Sequence, residues 1–208
     1  MKLYDHLDSG NGYKIRLMLA LLKIEYDRIG VDTLNGASRT DEYRAINANS
    51  KIPALQLDDG RVLAESGAIL FYLADGSPYL PEDRWARAEM LQWMFFEQYS
   101  HEPNIAVMRS WRRHDLITAD NEAQVPGKMA EGARVLGIMN DHLAEHDYFA
   151  GDRFTIADIA LYAYTHVAAD GGFDLAQFKN VQAWIDRVAA QPGYIPMLPP
   201  GFDHHRDY

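Results

Sequence analysis

The feature that most restricts the fold of this chain is a change of pattern near residue 80. The segment GSPYLPEDR, residues 76–84, contains one glycine and two prolines and interrupts all periodicity. Before this segment, short strand-like runs alternate with helical ones, whereas after it every periodic run is helical. We therefore predict a first domain over residues 1–75, a linker over 76–84 and an all-helical domain over 85–208.

The first domain has the pattern of a small α/β unit. The runs KLYDH and YDRIGVD predict two strands with a helix over residues 13–23 between them. A short helix is expected around residues 41–45, and PALQLDDGRVLAES predicts a hairpin with strands at 55–58 and 62–64. The run SGAILFYLAD predicts a third helix with Ser66 as its N-cap. This βαβ-α-ββα order fits a thioredoxin-like domain.

The second domain is predicted to be helical throughout. Residues 85–100 and 128–146 have the apolar stripe of surface helices, and the run from Val181 predicts a last helix that ends before Pro192. The run IADIALYAYTHVAA is apolar nearly all round, so we expect it at the centre of the domain. Thr155 and Asp158 before it form the pattern of a capping box. The tail PPGFDHHRDY is expected to be irregular.

Composition excludes several classes of chemistry. The chain has no cysteine, so disulfides, thiolate metal sites and a cysteine nucleophile are impossible, and any thiol must arrive with a ligand. A net charge of −10 argues against binding to nucleic acid or to an anionic membrane. No charge-free apolar run approaches the length of a membrane span, and the N-terminus lacks a secretory signal, so we expect a cytoplasmic protein. No metal site is predicted.

Three short segments of the first domain carry the candidate chemistry. SGNGYK (9–14), SKIPAL (50–55) and ESGAIL (65–70) lie at predicted turns beside strands and helices. Hydroxyl, amide and backbone donors at a helix N-terminus stabilise an anion, and for a bound thiol they favour the thiolate. Gly10 and Gly12 would let a ligand approach the backbone closely. Each segment alone is better explained as an ordinary turn, a helix cap or a trans proline, and it is the order and spacing of all three that favour a binding site.

The ordered combination of these segments resembles the cytosolic glutathione S-transferases. The resemblance extends through the helical domain, where FTIADIALYAY is similar to the capping-box motif of that family. It is closest to bacterial members similar to the Nu class or to the serine-type classes. It implies a homodimeric cytoplasmic transferase with a role in detoxification, with glutathione as co-substrate and no permanently bound cofactor.

The resemblance also implies roles for individual residues. Ser9, Asn11 or both would donate to the glutathione sulfur, although Tyr4 and Tyr13 lie close enough in sequence to remain alternatives. Further glutathione-binding positions follow from the motifs: Ile52 before a cis Pro53 for the cysteinyl backbone, Glu65 and Ser66 for the γ-glutamyl end, and Lys51 with Arg39 for the glycine carboxylate.

The second substrate is expected on the first helices after the linker. The residues implied there are Tyr99, His101, Met108, Trp111 and Arg112. They would form an aromatic and basic wall for an electrophile or a second glutathione. The alternative is that the apolar members are core residues and the arginine is solvated or faces a partner subunit.

Three functions are compatible with this sequence. The favoured one is conjugation of glutathione, as thiolate, to a small electrophile. A glutathione-dependent disulfide reductase or peroxidase on the same fold is the first alternative, because two bound glutathiones would need no protein cysteine. The second is a glutathione-binding protein without enzymatic activity, since one fold supports many functions.

Overall fold

The computed structural model describes residues 1–202 and divides the chain into two compact units. The first unit comprises Met1–Ser77 together with the segment that begins at Pro192, and the second is Pro78–Gln191. The sequence pattern predicts that all residues after 84 belong to the helical domain. The segment after Pro192 instead belongs to the first unit. The end of the predicted irregular tail, residues 203–208, lies outside the described residues.

The first unit has the predicted order of elements. Its strands and helices are β1 (Lys2–Asp5), α1 (Gly10–Leu21), β2 (Asp27–Gly30), α2 (Asp41–Ile46), β3 (Ala54–Gln56), β4 (Val62–Ala64) and α3 (Ser66–Ala74). A short 3-10 helix, Ala37–Arg39, precedes α2. The predicted βαβ-α-ββα arrangement is therefore confirmed. Ser66 is the first residue of α3 rather than its N-cap, which is Glu65.

The sheet brings three turns together at one end of its strands. Its strand order is β2-β1-β3-β4, with β1 parallel to β2 and antiparallel to β3, and with β3 antiparallel to β4. Strand β4 therefore runs in the same direction as β1, and both strands end where β3 begins. The helices α1 and α3, which follow β1 and β4, thus start at the same end of the sheet as Pro53, the residue before β3. Leu3 and Leu55, paired across β1 and β3, are fully buried in the core.

The second unit is helical. Its helices are α4 (Arg84–Phe96), a π-helical turn (Glu97–His101), α5 (Glu102–Arg113), α6 (Val125–His142), α7 (Ile156–Thr165) and α8 (Lys179–Ala189). Every residue of α7 is buried, as a sequence that is apolar nearly all round predicts. The predicted capping box at its start is confirmed, because Thr155 Oγ1 accepts from the Ala157 N–H and Asp158 accepts from the Thr155 N–H.

Two properties of residues 1–202 bear on function. No helix in this part of the chain combines the length and the apolar character needed to cross a membrane. Nor does it bring three or more His, Asp or Glu side chains together in a group that could hold a metal ion.

Candidate functional site

The N-terminus of α1 presents the first group of donors. Ser9 is the N-cap of this helix, in extended conformation, and its Oγ accepts a hydrogen bond of 3.2 Å from the Gly12 N–H. A hydroxyl that accepts through a lone pair keeps its own hydrogen for a second bond. The Ser9 O–H can therefore donate to an anion at the helix start, where the helix dipole also favours negative charge.

The alternative sulfur donors, the two nearby tyrosines, point to other partners. Tyr13 is fully buried and its hydroxyl donates to the Ile195 carbonyl at 2.7 Å. The Tyr4 hydroxyl donates to Gln56 Oε1 at 3.2 Å. Both hydroxyls are thus engaged in contacts that hold the first unit together.

Gly12 is required by packing beneath the turn rather than by access for a ligand. A Cβ placed on Gly12 would overlap the carboxylate of Asp5, which is fully buried. Arg16 Nε lies 2.8 Å from Asp5 Oδ2, so the two buried charges form an ion pair under the first turn of α1. Burial raises the pKa of Asp5 to about 6, and the nearby Arg16 only partly opposes this shift.

Asn11 connects the starts of α1 and α3. Its side-chain Oδ1 accepts a hydrogen bond of 2.7 Å from Lys14 Nζ and one of 3.3 Å from Ser66 Oγ. Ser66 is buried at the first position of α3. Two of the predicted site residues, Asn11 and Ser66, are therefore in direct contact although 55 positions separate them in sequence.

The segment before β3 carries the predicted proline geometry. The Ile52–Pro53 peptide bond is cis. The Lys51 carbonyl accepts hydrogen bonds from Tyr43 Oη at 2.8 Å and from Asn47 Nδ2 at 2.7 Å, so helix α2 and the residue after it fix this segment. The backbone N–H and C=O of Ile52 make no hydrogen bond to any residue from 1 to 202. They remain as an edge on which an extended peptide can pair.

Two non-glycine residues with positive φ flank the β3–β4 hairpin. Ser50 has φ 57° and stands before Lys51, and Glu65 has φ 67° and stands before Ser66. This conformation costs on the order of 1–3 kcal/mol at each position and is concentrated at functional sites. Both strained residues immediately precede predicted glutathione-binding residues.

The predicted cations for the glycine carboxylate lie on the surface. Lys51 is exposed, and Arg39 is exposed at the end of its 3-10 helix. Within residues 1–202 neither side chain has a hydrogen bond or an ion pair. Both are therefore available to a carboxylate at the outer end of a peptide, but no hydrogen bond or ion pair within the described residues joins either of them to Ser9 or Asn11.

The five residues predicted for the second substrate are not gathered on one surface. His101 and Met108 are fully buried, and His101 Nε2 lies 2.9 Å from Thr165 Oγ1. Tyr99 is 87% exposed. Trp111 is half-buried under Lys128, whose Nζ lies 5.5 Å from the ring centroid, and Arg112 is exposed. Only Tyr99, Trp111 and Arg112 therefore offer side-chain surface.

Sequence reasoning missed two features of this site. The first is Lys14, which is buried against Asn11, and the second is the Asp5–Arg16 pair beneath Gly12. The separation of Asn11 and Lys14 by three positions on α1 placed them on one helix face and could have indicated their contact.

This chain matches two family models and is similar to individual proteins of known structure. Residues 1–75 match the model of the glutathione S-transferase N-terminal domain, and residues 87–192 match that of the C-terminal domain. The crystal structure of a glutathione S-transferase from Pseudomonas fluorescens [Pf-5] has a TM-score of 0.93 and 46% identity, over 95% of this chain and 98% of that one.

Two further similar proteins carry different descriptions. The disulfide-bond oxidoreductase YfcG of Escherichia coli (strain K12) is 30% identical, over 88% of this chain and 87% of its own length. Ure2p is a prion protein of yeast. Its structure in complex with glutathione has a TM-score of 0.84 and 27% identity, over 92% of this chain and 95% of that one. The predicted fold class, an α/β thioredoxin-like domain followed by an all-helical one, agrees with these matches.

Proposed function

This chain belongs to the glutathione S-transferase family, and from that premise we propose that it binds glutathione and transfers it, as thiolate, to an electrophilic small molecule. The observation that carries the proposal is the contact between the starts of α1 and α3. This contact joins the Asn11 amide to the buried Ser66, and the Ser9 hydroxyl caps the same helix, α1.

Glutathione supplies groups that match the site. Its sulfur would lie at the start of α1 and accept from Ser9 and Asn11, while its cysteinyl backbone pairs with Ile52. The γ-glutamyl ammonium would bind the exposed Glu65 carboxylate, and the γ-glutamyl carboxylate would bind at the start of α3 beside Ser66. Lys51, together with Arg39, would attract the glycine carboxylate against the negative charge of the whole protein.

The chemical step needs little beyond a thiolate and alignment. The thiol loses its proton to solvent, the sulfur lone pair forms a bond to the electrophilic carbon, and the leaving group departs with its bonding pair. Donors at the helix start lower the thiol pKa and so raise the thiolate fraction at neutral pH. Tyr99, Trp111 and Arg112, which have exposed surface, are the proposed contacts for the electrophile.

The direct test is a pH titration of the ultraviolet thiolate absorbance of glutathione bound to the protein. We expect a bound thiol pKa below that of free glutathione, and a rise of about one unit in Ser9→Ala or Asn11→Ala from loss of one donor. Asn35→Ala, at an exposed position of the same unit, is the control. An unshifted pKa in the wild type would rule out thiol activation, and no effect of either variant would rule out these donors.

A second function, reduction of disulfides, is favoured by the YfcG relative, and the lack of cysteine in this chain is compatible with it if two glutathiones bind together. One glutathione thiolate would attack a substrate disulfide and release one substrate thiol. A second glutathione would then attack the mixed disulfide, which gives glutathione disulfide and the second substrate thiol. Tight binding of glutathione disulfide with rapid turnover of a model disulfide, and slow conjugation, would favour this function. Binding without either turnover would indicate a glutathione-binding protein.

We also propose that the protein is a homodimer. Helix α4 presents a row of exposed residues at spacings of three and four, namely Trp85, Ala88, Gln92 and Phe95. Trp85 is 73% exposed and Phe95 is 70% exposed. Large aromatic side chains in one exposed row are typical of a surface that is covered by a partner.

A further inference from the structure

We propose that the second substrate is an organic acid with an apolar body, and that Arg112, held against Gly172 at the end of α5, binds its carboxylate. Trp111 and Leu116 contact the apolar part of the same molecule. The inference rests on the proposed function and deepens it, because it names the chemical class of the electrophile.

The Arg112 guanidinium has no acidic partner, unlike its neighbours. Asp170 pairs with the other two arginines of this helix end, since its Oδ2 lies 3.2 Å from Arg109 Nε and 3.4 Å from Arg113 Nη1. The Arg112 side chain is exposed and makes no hydrogen bond or ion pair within residues 1–202. Its planar group of donors, which matches the geometry of a carboxylate, is therefore available to a ligand.

Gly172 provides the space that this guanidinium occupies. The residue follows the 3-10 helix Ala168–Gly171 and has a φ of 85°, a conformation that favours glycine. A Cβ placed on Gly172 would overlap Nη1 and Cζ of Arg112. The cation thus lies against the backbone, and a cation that is already positioned loses less conformational entropy when it binds a carboxylate.

The chain beside Arg112 supplies apolar surface. Helix α5 ends in a Schellman motif, in which Asp115 has a φ of 51° and the Leu116 N–H donates to the Trp111 carbonyl at 2.8 Å. A hydrophobic contact between the residues joined by this bond commonly accompanies the motif. Leu116 is 40% exposed and Trp111 is half-buried. The end of α5 therefore combines an unpaired cation with apolar side chains.

A second cation lies over the Trp111 ring. Lys128 Nζ is 5.5 Å from the ring centroid and donates to the Pro103 carbonyl, a neutral acceptor, at 2.9 Å. The net charge of −10 repels anions from the protein as a whole, so local cations are needed to bind one. A neutral electrophile would need neither cation. A second glutathione has carboxylates but no apolar body to match Trp111 and Leu116.

The test compares two electrophiles, 4-chloro-3,5-dinitrobenzoic acid and its methyl ester, which has no negative charge. Each kcat/KM at saturating glutathione is divided by the rate constant of the uncatalysed reaction, because the two compounds differ in intrinsic reactivity. We expect the wild type to prefer the acid by about tenfold or more, and Arg112→Gln to lower that preference about tenfold. Arg112→Lys, which keeps the charge but not the planar group, should lower it about threefold.

The matched control is Arg153→Gln. Arg153 is exposed in the same unit and its side chain likewise has no hydrogen bond or ion pair within the described residues, so the preference should be unchanged. Loss of folded protein lowers both activities by the same factor and leaves their ratio intact. A wild type without preference for the acid, or an Arg112→Gln protein that keeps this preference, would overturn the proposal.

Gly172→Ala separates the position of the guanidinium from its charge. The variant keeps every charge but moves Arg112, so we expect the preference for the acid to fall about threefold. Gly76→Ala also places a side chain at a positive φ, 71°, but its Cβ meets nothing within 4 Å, so it should have no effect. An unchanged preference in Gly172→Ala would overturn positioning by Gly172.

Glutathione disulfide is the competing source of a carboxylate. If Arg112→Gln weakened binding of glutathione disulfide about tenfold while the preference for the acid persisted, Arg112 would serve a second glutathione and the proposal would be overturned.

Failure of the proposed function can be told apart by calorimetry with 3,5-dinitrobenzoate, which has no leaving group, in the presence of S-methylglutathione, which has no thiol. A wild type that activates no thiol but binds this acid, with binding about tenfold weaker in Arg112→Gln, would refute the proposed function and support the acid site. A wild type that activates the thiol but binds the acid no better than its methyl ester would overturn this inference alone.

Discussion

Gly12 has no side chain, and this allows the buried Asp5 carboxylate to pack against the first turn of α1. Any Cβ there would occupy the position of the Asp5 carboxylate, which is buried and paired with Arg16. We expect Gly12→Ala to lower the free energy of unfolding by about 1–3 kcal/mol, because the buried pair must move. Urea unfolding measures the change. The matched control is Gly137→Ala in α6, where a Cβ meets nothing within 4 Å and should add up to about 1 kcal/mol.

His166 is expected to make the second unit sensitive to acid. Burial is the main cause that lowers its pKa to about 4, and its Nδ1 lies 2.7 Å from the Tyr162 carbonyl. The unfolded chain takes up this proton near pH 6.5, whereas the folded chain takes it up only near pH 4. Stability from this group is therefore present above pH 6.5 and is lost as the pH falls towards 4.

The variant His166→Gln should remove that dependence. After allowance for its partial exposure, we expect the wild type to lose on the order of 2 kcal/mol more than the variant between pH 7 and pH 4. Urea unfolding at several pH values gives the difference, apart from a constant offset due to the lost ring contact with Tyr162. The exposed His146 is the control position. Parallel pH profiles for wild type and His166→Gln would contradict the assignment.

Single residues also show where the sequence was informative. Ser9 and Asn11 could be selected because a cap and a turn are local patterns, and the structure places both at the start of α1. The burial of Lys14 depends on what packs over it, so its sequence alone resembles a solvated lysine. Gly12 was interpreted as an opening for a ligand, whereas its neighbour is a carboxylate of the same chain.

At the scale of elements, α4 offers the clearest test of assembly. Its exposed row begins at Trp85 and ends at Phe95, and a charge introduced into an apolar surface that a partner subunit covers would be costly. We expect Phe95→Glu to halve the molar mass in sedimentation equilibrium at micromolar concentration, with helix content unchanged. Ala133→Glu, at an exposed position of α6, should leave the mass unaltered. A wild-type protein that sediments as a monomer would refute the homodimer.

Elements with local signals were predicted well, and those without were not. The capping box of α7 lies in four consecutive residues, so its position could be predicted from the sequence. The predicted helix over residues 85–100 instead changes to a π turn at Glu97–His101. Glu97 and His101 are both buried in that turn, and this burial depends on neighbouring helices that the periodicity of one segment does not describe.

For the whole molecule, the described residues begin and end in the same unit. The segment after Pro192 is fixed to α1 by two hydrogen bonds, from Tyr13 Oη to the Ile195 carbonyl and from Arg16 Nη1 to the Met197 carbonyl. Met197 itself is buried. The acceptors are backbone carbonyls, which every residue type has, so the sequence does not indicate these two hydrogen bonds. The segment also lacks the periodicity of a helix or strand. For that reason the domain boundary predicted from composition assigned it to the helical part.

Helix α1, which carries the proposed sulfur site, is thus held in place by the last part of the described chain. A protein truncated after Gln191 loses both hydrogen bonds and the burial of Met197, so we expect faster amide hydrogen exchange along α1, with α7 protected as before. A truncation after Phe202 keeps these contacts and is the control. Faster exchange in α1 should be accompanied by weaker binding of S-methylglutathione, because Ser9 and Asn11 depend on that helix. Equal exchange in both truncations would show that the segment is not needed to hold α1 in place.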